Sequence, residues 1–252
     1  MIRPLADLHT HTIASGHAFS TFTELAAGAA AAGLELIAVT DHGPACPGAA
    51  HEWYFMNLRV APSVLGGVRV LKGVEANPVP DTDNGIDLPD ELLATLDFVA
   101  VGLHPQTGWD DASELERTEA LLRAIANPLV DMVTHPGNPT FPLDIERIVD
   151  ACVRHDVIVE FNNASFEPAS SRSRDTMREL AFARAAVEAG ALVAINSDAH
   201  YHAYVGRFGR ALEVAEQLGL REDRLVSRDA ATVLAHLTAR RERPRLEWGG
   251  VH

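Results

Sequence analysis

Nine side chains of metal-binding type fall at the ends of strand-like segments between positions 9 and 200. The densest group is Asp7-Leu8-His9-Thr10-His11, with His17 close behind. Then come His42 in Thr40-Asp41-His42-Gly43, Glu75 in Gly73-Val74-Glu75-Ala76-Asn77 and His104 in Gly102-Leu103-His104-Pro105. His135 follows in Thr134-His135-Pro136-Gly137, and Asp198 and His200 close the series in Asn196-Ser197-Asp198-Ala199-His200. Imidazole and carboxylate are the ligands of zinc, manganese and iron, and nine exceed what one ion can use. The set implies hydrolytic chemistry at a site holding several ions.

Local spacing gives some of these residues a direction. His9 and His11 lie two apart on a strand, so both rings share one face and can hold one ion together. Asp7 shares that face and is expected to orient an imidazole from behind. Asp198 and His200 repeat the spacing on the last strand. His42 reads as a ligand or as a turn histidine, and Asp41 as its partner or as a helix cap. His104 and His135 each precede a proline, which ends the strand and aims the ring at the loop face. Glu75 ends an apolar run, where a charged carboxylate is costly unless paired or metal-bound, and it is the best candidate to bridge two ions. His51, in a loop, His155 and His236, on helices, and the terminal His252 are read as non-ligands. His202 faces substrate or belongs to a solvent-exposed turn.

The elements that must position these groups alternate along the chain. Strands are predicted over Leu5–His9, Leu36–Thr40, Val68–Val74, Phe98–Leu103, Asp131–Thr134, Val157–Asn162 and Leu192–Asn196. Most are continuous apolar runs, as in parallel strands covered on both faces. Helices are predicted over Thr23–Ala32, Leu88–Thr95, Glu114–Ala126, Asp144–His155 and Asp175–Gly190, several with start signals such as Thr21 or Thr23 near Glu24. Gly66-Gly67 is a turn feeding the third strand. Seven β-α units predict an α/β fold, a distorted barrel related to the (βα)8 architecture, with a doubly wound sheet as the alternative. In either fold, polar residues beyond the carboxyl ends of strands mark the site. The loops Ala45–His51 and Pro78–Leu88 are Gly/Pro-rich. The second carries Asp81, Asp83 and Gly85 in an EF-hand-like spacing, but the later ligands of such a loop are missing and a solvated turn is the reading.

At 252 residues the chain fits one domain of this class, spanning 1–252. A formal charge of −14 argues against a nucleic acid backbone as the main partner. Cys46 and Cys152 stand in no ligand spacing and read as free thiols. The few residues before Asp7 leave no room for a signal peptide, and no apolar run is long enough to span a membrane, which predicts a cytoplasmic location. Asn163-Ala164-Ser165 matches a glycosylation acceptor, which has no meaning without secretion.

Several strings together resemble the polymerase and histidinol phosphatase (PHP) superfamily and, within it, the YcdX-type probable phosphatases. They are Asp7-Leu8-His9-Thr10-His11-Thr12, Ala18-Phe19-Ser20-Thr21, Val39-Thr40-Asp41-His42-Gly43-Pro44, His135-Pro136-Gly137-Asn138-Pro139, Glu160-Phe161-Asn162-Asn163 and Ser197-Asp198-Ala199-His200. The resemblance runs nearly the full length. It implies a distorted (βα)7 barrel with three divalent ions, zinc foremost, with manganese or iron also used. By carry-over, His9, His11, Glu75 and Asp198 would hold the first ion. Glu75 would bridge to a second held by His104 and His135, and His17, His42 and His200 would hold the third.

What this implies is phosphatase chemistry on a small-molecule phosphoester. A hydroxide activated by the first two ions would attack phosphorus in line, while the third ion helps to neutralise the phosphoryl oxygens. Glu75 and Asp198 would be central to this. Arg59 offers a phosphate contact, with an ordinary surface arginine as the competing reading. The leaving group's proton would come from His202 or a metal-bound water. Three alternatives compete. An amidohydrolase with a bridging lysine would need one at a strand end, and Lys72, the sole lysine, should face away from the site. Non-catalytic PHP modules are usually parts of larger chains and some have lost ligands, whereas the set here is intact. A nuclease is disfavoured by the charge and by the want of an aromatic-basic groove.

Overall fold

In a computed structural model, residues 2–80, 82–167 and 176–242 are described. The strands are β1 (Ala6–Thr10), β2 (Leu36–Val39), β3 (Val64–Leu65), β4 (Val68–Ala76), β5 (Phe98–Val101), β6 (Met132–Val133), β7 (Ile158–Asn162) and β8 (Val193–Asn196). Each predicted run forms its strand, displaced by a residue or two. The helices are α1 (Phe22–Ala32), α2 (Glu52–Asn57), α3 (Asp90–Leu93), α4 (Glu114–Ala126), α5 (Ile145–His155), α6 (Met177–Glu188), α7 (Gly209–Gln217) and α8 (Ala230–Arg241).

Seven strands pair in parallel in the order β1-β2-β4-β5-β6-β7-β8, and β3 adds an antiparallel hairpin to β4. Gly66 and Gly67 make that hairpin's two-residue turn at φ 58° and 85°, conformations that a side chain would resist. The sheet is nearly closed. At the seam, Thr10 bridges Ala199 and the His11 N–H donates to the Ala199 carbonyl at 2.9 Å. Side chains complete the closure: Leu8 N–H donates to Asn196 Oδ1, while the Ser197 N–H and hydroxyl and the Gly206 N–H donate to Asp7. Asp7 thus ties the first strand to the last loop and holds no imidazole, contrary to expectation. Burial pushes its carboxyl up to about 6 against the pull of those donors. The closure also removes the doubly wound alternative.

Strand residues alternate between two apolar clusters, as the period of two requires. Ala6, Leu8, Leu36, Ala38, Leu71, Phe98, Ala100, Met132, Ile158 and Ala194 pack together with Val233 and Leu237 of α8. The other faces meet the helices, for example Val39, Val99, Val133 and Ile195 with Leu25, Leu121, Ile148 and Phe182. Burial of each large side chain here is worth roughly 1.5–3 kcal/mol. Helix α8 closes the end of the barrel where the strands begin. Its Arg240 donates to the carbonyls of Val130 and His155 and pairs with Asp131 at 3.4 Å.

Local chemistry sets the helix ends. Thr21 with Glu24 and Ser113 with Glu116 form capping boxes, and Asp144 caps α5. The helix predicted over Leu88–Thr95 shrinks to α3, because Pro89 sits at its cap and Leu88 is buried in the core. The predicted helix start at Asp175 lies outside the described residues, as do Asp81 and His252. In the loop after β4, Asn84 bonds Leu88 and Asp90, and the Arg123 guanidinium takes the carbonyls of Thr82 and Asp83, so a hydrogen-bonded turn stands there. Asn163 is buried and its Oδ1 accepts from the N–H groups of Arg210 and Ala211, capping α7 from a distance. Both cysteines are buried and unpaired.

Candidate metal centre

Glu75 lies on the long strand β4, near the carboxyl end of the barrel, and histidines from four other strand ends converge on it. Its Oε2 lies 2.9 Å from His42 Nδ1, 3.2 Å from His9 Nε2 and 3.6 Å from His11 Nε2. Its Oε1 lies 2.8 Å from His135 Nε2 and 3.3 Å from His104 Nε2, and accepts the Thr134 hydroxyl at 2.7 Å. Asp198 Oδ1 faces His11 Nε2 at 3.2 Å and His9 Nε2 at 3.5 Å. A tight backbone makes room for this: a Cβ on Gly102 would stand 2.1 Å from Thr134 Oγ1.

The outward nitrogens of the rings are held. His9 Nδ1 meets Glu160 Oε1 at 2.7 Å, His104 Nδ1 meets Asn77 Oδ1 at 2.7 Å, and His11 Nδ1 meets Ser15 Oγ at 3.0 Å. Asn77 is itself oriented by Asp87, which takes its amide at 2.6 Å. The acceptors Glu160 and Asn77 hold a proton on the Nδ1 of His9 and His104 and turn their Nε2 inward. His135 and Asp198 adopt φ 30° and 54°, left-handed values costly for residues with a side chain. Glu160 receives the His135 N–H at 2.7 Å and Asn162 holds Asp198 at 3.1 Å, so buried hydrogen bonds impose both conformations.

At the outer rim, His17 Nε2 stands 3.0 Å from His200 Nε2. His200 Nδ1 is occupied by the Asp198 carbonyl at 3.1 Å, so its Nε2 presents a lone pair to His17. His11, His42 and His200 offer ring nitrogens within 4.8 Å of one another, and three overlapping sets offer nitrogens and a carboxylate oxygen as close: His9, Glu75 and His135; His9, His11 and Asp198; His42, Glu75 and His104.

The residues fit cations in a specific way. The inward atoms His9 Nε2, His11 Nε2, His42 Nδ1, His104 Nε2 and Glu75 Oε2 are buried and make no hydrogen bond. Buried polar atoms seldom remain so. Among the described residues, no lysine or arginine pairs with Glu75 or Glu160. Burial opposes charge on His9, yet Glu160, Glu75 and Asp198 outweigh it and hold that imidazole's pKa well above its ordinary value. Burial likewise opposes the Glu75 carboxylate, and His9, His104, His42 and His135 overcome it, driving its pKa far down. His11 behaves oppositely: burial, then the neighbouring rings of His200 and His42, push its pKa well down. A pocket that favours positive charge among carboxylates and neutral rings beside it suits divalent ions.

All nine residues picked from the sequence as ligands therefore meet in one cluster. The structure places the other two site candidates elsewhere. His202 lies on a short turn packed over α1, its Nδ1 3.3 Å from Ser20 Oγ and its ring against Tyr201. Arg59 lines an outer groove of about 680 Å³ beside Phe22, Trp53 and Tyr54. Lys72 donates to Ser63 at 2.9 Å and pairs with Asp97 at 3.3 Å, away from the cluster as expected. His51 caps α2 by accepting the Trp53 N–H. The supporting role of Glu160 went unread, although a charged residue inside the apolar run Val157–Asn162 was the signal for it.

The comparisons agree with this architecture. A PHP domain model matches residues 7–167. A probable phosphatase of Thermoanaerobacter sp. strain X514 is 44% identical over 238 residues, covering 94% of this chain and 96% of that protein. A probable phosphatase of Shewanella frigidimarina is 41% identical over 236 residues, with 94% of each covered. Among solved structures, the fold is similar to that of histidinol phosphate phosphatase from Lactococcus lactis, crystallised with zinc, L-histidinol and phosphate. That likeness has a TM-score of 0.59 at 13% identity, over 86% of this chain and 95% of the other. On the extent of the domain match and the identity to these relatives, this chain belongs to the PHP domain family.

Proposed function

We propose that this chain is a metal-dependent phosphatase acting on a small-molecule phosphoester at the cluster around Glu75. The observation that carries the reading is the group of buried inward ligand atoms that make no hydrogen bond. The names of the relatives support the choice of phosphoester among hydrolysable bonds. Three divalent ions are the proposed complement, zinc foremost, with manganese and iron as alternatives. His9, His11, Glu75 and Asp198 would hold one, Glu75, His104 and His135 a second, and His17, His42 and His200 a third.

When bound, such ions supply Lewis-acid charge for the phosphoryl oxygens and lower the pKa of an attacking water. The chain's own residues do the rest. Glu160, Asn77 and Ser15 hold the rings so that their lone pairs converge, and Glu75 spans the two inner groups with both oxygens. Glu75 is fully buried, so the inner cluster lies in low-dielectric surroundings where electrostatic interactions are strongest. Asp198 and the rim pair His17 and His200 face the side from which a phosphoester would enter. Arg59 and His202 are proposed only as contacts that substrate binding would have to recruit, from the groove and the rim turn respectively.

The test is elemental analysis of the untreated protein together with phosphate release from an aryl phosphate. The reading expects about three equivalents of transition metal and turnover. Metal binding without phosphate release from any ester in a broad panel would refute the phosphatase and favour a metal-binding module. His9→Ala should lower both metal content and rate.

A further inference from the structure

The hydroxyl of Ser15 stands at a junction of three groups. Asp41 Oδ1 lies at 2.7 Å, His11 Nδ1 at 3.0 Å and the backbone N–H of His42 at 3.1 Å. A hydroxyl has one proton to give and two lone pairs. The His42 N–H can only donate, so it takes one lone pair. A lone hydroxyl would leave His11 undecided, because it can donate to a bare ring nitrogen as readily as accept from a protonated one.

Asp41 removes that freedom. Besides Ser15, its carboxylate receives the Thr12 N–H at 2.7 Å, the Thr12 hydroxyl at 2.8 Å and the Tyr54 hydroxyl. Four donors occupy the roughly four lone-pair sites of a carboxylate, so Asp41 has nothing to offer Ser15 but an acceptor. The Ser15 proton therefore points at Asp41. The remaining Ser15 lone pair is left for a donor, and only an Nδ1–H on His11 supplies one.

We infer that Ser15 and Asp41 are positioning residues that lock the proton of His11 on Nδ1 and keep its Nε2 open toward Asp198 and Glu75. Those carboxylate oxygens lie 3.2 Å and 3.6 Å from Nε2. Tyr54 completes the lock from α2, whose Phe55 is anchored in the core. The inference rests on the reading of the cluster as a metal site and assigns within it a proton controlled from outside the nine candidate ligands.

A pair of substitutions separates this from a plain charge effect. In Asp41→Asn, the Thr12 N–H fixes the amide so that its oxygen replaces Oδ1, and Ser15 keeps its acceptor. The new NH₂ faces the hydroxyls of Thr12 and Tyr54, which can both turn to accept. In Ser15→Ala the acceptor for His11 is gone. The experiment is competition for zinc between the full-length protein and a chromophoric chelator, with long-range ¹H–¹⁵N NMR of the metal-free protein as a second readout. Ser15→Ala should weaken binding by about 10–100-fold, the usual effect of losing such a support, whereas Asp41→Asn should stay within about threefold of the parent. The parent and Asp41→Asn should both show the proton of His11 on Nδ1. Zinc affinity kept by Ser15→Ala but lost by Asp41→Asn would overturn the inference, as would a proton on Nε2 in the parent. If Ser15→Ala does not fold, the NMR assignment in the parent and in Asp41→Asn still decides the matter. Failure of the parent to bind zinc at all would instead sink the metal-site reading on which this rests.

Discussion

Replacing Glu160 by glutamine is the sharpest perturbation of the support around the cluster, and its size follows from counting donors. Oε1 accepts His9 Nδ1 at 2.7 Å and Asn196 Nδ2 at 2.9 Å, while Oε2 accepts the His135 N–H at 2.7 Å and Asn162 Nδ2 at 3.0 Å. All four partners are nitrogens, so no hydroxyl can turn to accommodate an amide. Asn162 cannot flip either, because its NH₂ also serves Asp198 and its oxygen accepts the Ser165 N–H. With its NH₂ toward Asn162 and the His135 N–H the glutamine confronts two donors in a fully buried site; turned the other way it confronts the Asn196 amide, and His9 can accept it only by giving up its Nδ1 proton. Stranded buried donors cost ~1–3 kcal/mol each, so Glu160→Gln should lose about 2–5 kcal/mol. At ~2–4 °C per kcal/mol for a chain of this size, thermal unfolding of the metal-free protein should fall by roughly 4–20 °C. Zinc affinity, read by chelator competition, should drop about 10–100-fold through the loosened His9. A variant that melts within a degree or two of the parent and binds zinc equally well would refute the argument.

Other expectations follow from the same contacts. Glu75→Gln, which alters the carboxylate shared by five imidazoles, should cost more than one equivalent of bound metal, whereas His17→Ala should cost at most one; elemental analysis compares them. The raised pKa of His9 means that the metal-free ring keeps its proton to higher pH than a free imidazole and must lose it to act as a ligand. Zinc binding below that raised pKa should therefore release a proton and tighten as pH rises, and calorimetric heats that do not vary with buffer ionisation enthalpy would contradict this. In the metal-free chain the same raised pKa adds stability that is complete below the unfolded value near 6.5 and is lost as pH climbs through the folded one. Asn163→Ala removes the cap of α7 and should destabilise by ~1 kcal/mol without changing metal content, as chemical denaturation can show.

The convergence of these side chains on one cluster was legible in the sequence because strand ends and metal-binding side chains leave a joint signature. An imidazole or carboxylate closing a fully apolar run is too costly to be incidental, and a parallel barrel delivers every such end to one mouth. The strands were legible for a related reason: a run covered on both faces must be apolar throughout. Short α2, and α7 and α8 after the last strand, carried no comparable signal. The first spans barely two turns, α7 is capped by Asn163 far away in sequence, and α8 is placed by packing against the barrel floor.

Direction was what the chain order could not supply. Asp7 and Glu160 are both acids in apolar runs, and only the closed sheet assigns one to the seam and the other to His9. Asp41 stands beside the candidate ligand His42, yet its partners come from the first loop and from α2. Residue type fixes what a side chain can bind; which lone pair it presents depends on neighbours that are remote in sequence and that the closed barrel alone brings within hydrogen-bond reach.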